Sequence, residues 1–211
     1  MNNKQQIQKL RDNAELAQAS YGYFHLIGKK IKNEKKYGDK KNKPITQTDI
    51  LDLTYKKYIA VKSNPYKLDD EIKVGKLKGD FTPTQAKRFF SRYDLLVHQP
   101  NTESGFSATL FGEKRKQRNT ESKEISYTSE YGYINYILAI RGTEPNNKGD
   151  IGADTSLTLR NLPKKQHLDM LLFYNQCIGN IPFYVERDSK EYIESRKGSI
   201  NEKVFTHSFI I

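Results

Sequence analysis

The sequence is short of the residues that would classify it quickly. It has one cysteine, Cys177, which excludes an intramolecular disulfide framework and a multi-cysteine zinc site. Tryptophan is absent. No apolar run approaches the roughly 20 residues that a membrane-spanning helix needs, so a membrane-embedded chain is excluded. The start, MNNKQQIQKLRDNAEL, lacks an apolar stretch of about 7–15 residues, so no cleaved secretory signal is expected. The four histidines, His25, His98, His167 and His207, show no metal-ligand spacing such as HExxH. Neither a Walker A motif nor GxGxxG occurs, so no metal and no cofactor are expected.

Arginine is scarce as well. Of 36 basic residues, 27 are lysine and 9 arginine, against 25 acidic residues, for a net charge of +11. Readers of bases and phosphates favour the planar arginine fork, so nucleic acid is not an expected partner. Eight lysines fall within residues 29–43 (GKKIKNEKKYGDKKNKP). Such a run reads as a solvated loop that could touch phosphates or an anionic membrane surface. What the chain does have is 211 residues, enough for a core without staples, with 14 Tyr and 10 Phe to fill it. A mean hydropathy of −0.82 is polar, but this aromatic content argues against a wholly disordered chain.

Along the chain, Ile7, Leu10, Ala14, Ala17, Tyr21 and Phe24 recur at helical spacing and predict an amphipathic helix packed through that stripe. A second helix is expected from Thr48 as N-cap through Val61, with Pro65 beyond it. Thr82-Pro83-Thr84-Gln85 reads as a capping box, opening a helix that buries Phe89, Phe90 and Tyr93. The period then becomes that of strands: Leu95-Leu96-Val97, and residues 106–111 between Gly105 and Gly112. Residues 113–130 read as a long polar connection. Residues 133–140 (YINYILAI) predict a central strand. A helix follows near Pro163, with Leu168, Leu171, Leu172, Asn175 and Ile178 on its buried face and Gly179 at its end. Helices first, then strands alternating with helices, predict an α/β fold. The expected division is a helical region over 1–94, with the lysine-rich loop 29–43, and an α/β domain over 95–211.

Two places offer chemistry. The strand ending in Arg141-Gly142-Thr143-Glu144, followed by Asp150-Ile151-Gly152-Ala153-Asp154, presents polar groups where open α/β sheets bind ligands. Near the C-terminus, Thr206-His207-Ser208-Phe209-Ile210 follows a β-like Val204-Phe205. A serine on a strand-to-helix turn can be an exposed nucleophile, provided small residues lie two before and two after it.

The order Gly105-Phe106-Ser107-Ala108-Thr109-Leu110-Phe111, a polar loop, Ile137-Leu138-Ala139-Ile140-Arg141-Gly142-Thr143-Glu144, then Asp150-Ile151-Gly152-Ala153-Asp154, resembles the class 3 lipase family, and its bacterial branch most closely. The resemblance implies an α/β-hydrolase fold and cleavage of acyl esters such as triacylglycerols or phospholipids by a Ser-Asp-His triad. It makes Ser208 the nucleophile, Thr143 an oxyanion-hole donor, and the Phe209 N–H a second donor. Lipid or another ester is the implied substrate.

The sequence departs from the family at the elbow. Thr206 and Ile210 replace its glycines, and three residues follow Ser208, whereas the fold places the acid and then the base after the nucleophile. The expectation is therefore an incomplete α/β-hydrolase sheet, a chain cut short at the elbow and inactive alone because a serine without a base is a poor nucleophile. The alternatives are a non-catalytic module that binds anionic lipid or nucleic acid through residues 29–43, and an interaction protein whose first helix pairs with a partner. The default compartment is the cytoplasm, with export by a signal-independent route compatible with the sequence.

Overall fold

A computed structural model describes residues 2–33, 43–67, 70–118, 124–142, 163–181, 183 and 209–210. The fold is mixed, with helices and mainly antiparallel sheets. The chain divides into two compact units, Met1–Ser91 and Arg92–Ile211.

In the first unit, α1 (Asn3–Ala19) opens on a capping box between Asn2 and Gln5. Its buried residues are Asp12, Leu16 and Ala19; of the expected stripe Ile7 is 69% and Leu10 71% exposed, and only Phe24, on a 3₁₀ turn beyond the helix, is buried. Periodicity shows that a helix has an apolar stripe, but the neighbour that α1 meets lies on the opposite side. The second helix is also shorter than expected. Thr46 rather than Thr48 caps α2 (Gln47–Leu51), in a box with Asp49. Asp52 then ends α2 by capping a 3₁₀ turn over Leu53–Tyr55. The rest of the expected helix is a strand, β2 (Tyr58–Ser63), because Tyr58-Ile59-Ala60-Val61 is aromatic and β-branched.

This strand is the middle of an antiparallel sheet, β1-β2-β3, with β1 at Lys30–Asn33 and β3 at Glu71–Lys76. A wholly helical reading of 1–94 is thereby corrected, as is a lysine-rich loop beginning at 29: Ile31 is buried and aligned with Ala60. Backbone bonds between Ile45 and Lys29 and between Ile31 and Lys43 tie the two ends of the lysine-rich segment together. Gly79 lies so near Leu51 that a Cβ would meet its carbonyl carbon at 2.3 Å, and glycine alone fits. Helix α3 (Pro83–Arg92) buries Ala86, Phe89 and Phe90, and the Thr82 hydroxyl accepts from the Gln85 N–H at 3.2 Å. Edge-on ring contacts of Phe89 with Phe81 and Phe90, at 5.6 and 5.2 Å, knit this core.

The second unit is built on the sheet β4-β5-β8-β9. Its strands are β4 (Tyr93–Gln99), β5 (Ala108–Glu113), β8 (Asn135–Ile140) and β9 (Phe209–Ile210). Tyr93 is buried as expected, but as the first residue of β4 rather than on the helix. Strand β5 is buried along its whole length, and β8 sits between it and β9. The polar connection is not structureless. It holds β6 (Arg115–Arg118) and β7 (Ile125–Thr128), paired antiparallel as a ribbon.

Helix α4 (Lys164–Cys177) starts beside Pro163, and Gly179 beyond it takes φ +79°. It packs through Phe173 and Cys177 onto Val97, Phe106, Ala108, Leu110, Tyr136 and Leu138. The leucine face is again the wrong one, since Leu168 is 63% exposed and Leu171 and Leu172 are exposed too. The larger Phe173, flanked by Met170 and Tyr174, takes the sheet instead.

Candidate functional site

Strand β8 runs antiparallel to β5 and β5 antiparallel to β4, with Ile140 opposite Ala108 and Ala108 opposite Gln99. The end of β8, the start of β5 and the end of β4 therefore meet at one edge of the sheet. Polar groups gather there. The Arg141 N–H donates to the Ser107 carbonyl at 2.9 Å, and the Ser107 hydroxyl donates to the Gln99 carbonyl at 2.8 Å. The Arg141 side chain is buried, and its guanidinium donates to Asn101 Oδ1. A cation withdrawn from water must be hydrogen-bonded to persist, and Asn101 supplies such a bond.

The loop from β4 to β5 supplies a second group. Thr102 and Ser104 both donate hydroxyl hydrogens to Asp169 Oδ2 on α4, at 2.7 and 2.6 Å. A turn closed by Gly105, with φ +87° and its N–H on the Thr102 carbonyl, brings them together. Deeper in the sheet, His98 Nδ1 and Thr109 Oγ1 share a buried hydrogen bond of 2.9 Å. Among the described residues no cluster of His, Cys, Asp and Glu is suited to a metal ion.

The opposite end of the sheet is also polar. Glu113 accepts from Arg92 at 2.6 Å and from Asn135 at 2.7 Å. Tyr133 donates to Asp94 at 3.0 Å, and Lys114 pairs with the same carboxylate at 2.8 Å. Burial first, then the Asp94 charge and hydrogen bond, push the Tyr133 phenol well above its usual range. This end is fully paired ion chemistry that ties strands together.

Of the residues expected to carry function, Arg141 and Gly142 are at the end of β8, while Thr143, Asp150 and Asp154 lie outside the described residues. Val204, Phe205, His207 and Ser208 lie outside them as well. The described strand of that region, β9, follows Ser208 and pairs parallel with Tyr136 and Ile137, at the other end of β8 from Arg141. His25 is exposed, with its ring edge-on to Tyr23, and His167 is on α4. Sequence reasoning missed Asn101 and Asp169, which reach their partners across 40 and 67 residues. The cluster of turn formers in Pro100-Asn101-Thr102-Glu103-Ser104-Gly105 was the available signal.

No helix among the described residues is long and apolar enough to cross a membrane. Compared with protein families, with curated proteins and with solved structures, the chain finds no match.

Proposed function

We propose that the second unit carries the oxyanion-hole side of an acyl-ester hydrolase of the class 3 lipase kind, acting on lipid esters such as triacylglycerol or phospholipid. One observation supports the reading above the rest. The interior strand β8 delivers a buried, Asn101-anchored Arg141 at its end, directly ahead of Gly142 and Thr143. In open α/β sheets reacting groups gather beyond the carboxyl ends of strands, and Arg141 is the first residue beyond the carboxyl end of β8.

In this reading Ser208 Oγ attacks the ester carbonyl carbon and its proton passes to a base. The Thr143 hydroxyl and the Phe209 N–H stabilise the oxyanion, and the alcohol leaves with a proton. Water then releases the acid from the acyl-serine. The reading also requires β9 to shift along β8, because Phe209 is aligned with Tyr136, at the far end of β8 from Arg141.

The test starts with the coding DNA beyond the Ile211 codon, read in all three frames. A continuation with a small residue after the elbow, a helix, and later Asp and His positions supports the hydrolase. Joined in frame, the product hydrolyses p-nitrophenyl esters and loses at least about a thousandfold in kcat on Ser208→Ala. No such continuation in any frame overturns the reading. The alternative, a module that binds anions through residues 29–43, is weakened at three of its four described lysines. Lys30 and Lys32 face Glu71, and Lys43 pairs with Asp49 at 3.3 Å.

A further inference from the structure

We propose that the outward face of α1 docks on an anionic lipid bilayer. The helix has two faces with apolar residues. One, with Leu16 and Ala19, is buried in the first unit. The other runs through Ile7, Leu10, Ala14 and Ala17 to Tyr21, and every one of these residues is exposed. Spacings of 3, 4, 3 and 4 align them on one side of the helix, roughly opposite the buried residues. None of residues 2–11 is buried, so the first half of α1 stands clear as an apolar ridge.

Charge selects the occupant. Residues 2–11 hold Lys4, Lys9 and Arg11, with no acidic residue among them. The nearest acids are already engaged, Asp12 by Arg11 and Glu15 by Arg88. On the helix Lys4 and Arg11, the latter paired with Asp12, flank one edge of the ridge, and Lys9 lies beyond the other edge, toward the buried side. That arrangement lets Ile7 and Leu10 enter the headgroup–acyl boundary while the long lysine side chains reach lipid phosphates and carboxylates. The chain's net charge of +11 draws it to the same surface. A second copy of the chain fits less well: a ridge of five side chains falls short of the roughly 800 Å² per partner of a standard interface. The proposal does not depend on the hydrolase reading.

The test is co-sedimentation of the full chain with phosphatidylcholine vesicles, with and without about 30% phosphatidylserine, at about 0.1 M salt. Binding is expected with phosphatidylserine and not without it. Lys4→Glu with Lys9→Glu should weaken binding at least about 25-fold, at about fivefold per basic residue. Ile7→Asp with Leu10→Asp should abolish it with the circular dichroism unchanged, because both side chains are exposed. The chain has no tryptophan, so Ile7→Trp places a single reporter on the ridge, and its emission should shift to the blue on the anionic vesicles. Wild-type binding by Ile7→Asp/Leu10→Asp, or unshifted Trp emission from vesicle-bound protein, would assign the contact to lysines elsewhere and overturn the proposal. So would a concentration-dependent size that Leu10→Asp abolishes, which would make the ridge a self-association face.

Discussion

Two side chains show how single groups set local stability and its pH dependence. Burial pushes the Asp49 carboxyl up, but hydrogen bonds from the Thr46 N–H and hydroxyl, at 2.9 and 2.7 Å, and the Lys43 ammonium outweigh it and hold the pKa below 3.8. A lowered carboxylate pKa stabilises the fold above the unfolded value, and that contribution is lost as pH falls through the folded value. Asp49→Asn should therefore cost about 1 kcal/mol at neutral pH, with the gap to wild type closing below about pH 4. Urea midpoints along an acid series would read it, and a gap independent of pH would refute the assignment. Tyr133 works with the opposite sign. Its raised pKa gives stability that is complete below the unfolded phenol value and is lost as pH rises through the folded one. Tyr133→Phe should cost about 1 kcal/mol at neutral pH and should soften the alkaline loss of stability. Gly112→Ala presses on the same ring, since its Cβ would sit 2.6 Å from a Tyr133 carbon. It should destabilise by about 1–3 kcal/mol.

At the scale of elements, the sequence declared its boundaries better than its faces. The Thr82–Gln85 cap, the strand YINYILAI and the Pro163 and Gly179 limits of α4 were legible, because caps, breakers and apolar runs act within a few residues. Which face of a helix meets a neighbour is decided across the chain. In α1 the stripe through Ile7 and Leu10 looked like the core face, yet Leu16 and Ala19 are buried. In α4 three leucines were outbid by one phenylalanine that fills the space above Phe106, with ring centroids 6.1 Å apart. The candidate site divides in the same way. Arg141 and Gly142 at a strand end could be read directly, whereas Asn101 and Asp169 join their partners only after the sheet has formed. Helix α4 therefore carries a sharp prediction. Phe173→Ala should cost about 3–5 kcal/mol by leaving a cavity in the core, and Leu172→Ala should stay within about 0.5 kcal/mol. Comparable losses for the two in thermal or urea unfolding would mean that the helix packs through its leucine face after all.

For the whole molecule the question is whether two units mean two folding events. Each has buried apolar residues enough for a core: Phe81, Phe89, Ile50 and Leu77 in Met1–Ser91, and Phe111, Val97, Leu138 and Phe173 in Arg92–Ile211. The antiparallel pairing of β1, β2 and β3 closes within the first unit, and that of β4, β5 and β8 within the second, so neither sheet needs the other to form. The boundary, however, falls where α3 ends at Arg92 and β4 begins at Tyr93, with no linker residue between them. A junction without a linker can transmit unfolding, whereas separate cores favour separate transitions. The cores should dominate, because core burial is the largest stabilising term in each unit. Calorimetry of the intact protein should then resolve two transitions. Phe89→Ala should lower one of them, and Phe173→Ala the other, each mutation leaving its counterpart within about 2 °C of wild type. A single transition shifted by both substitutions would show that the α3–β4 junction binds the units into one cooperative body.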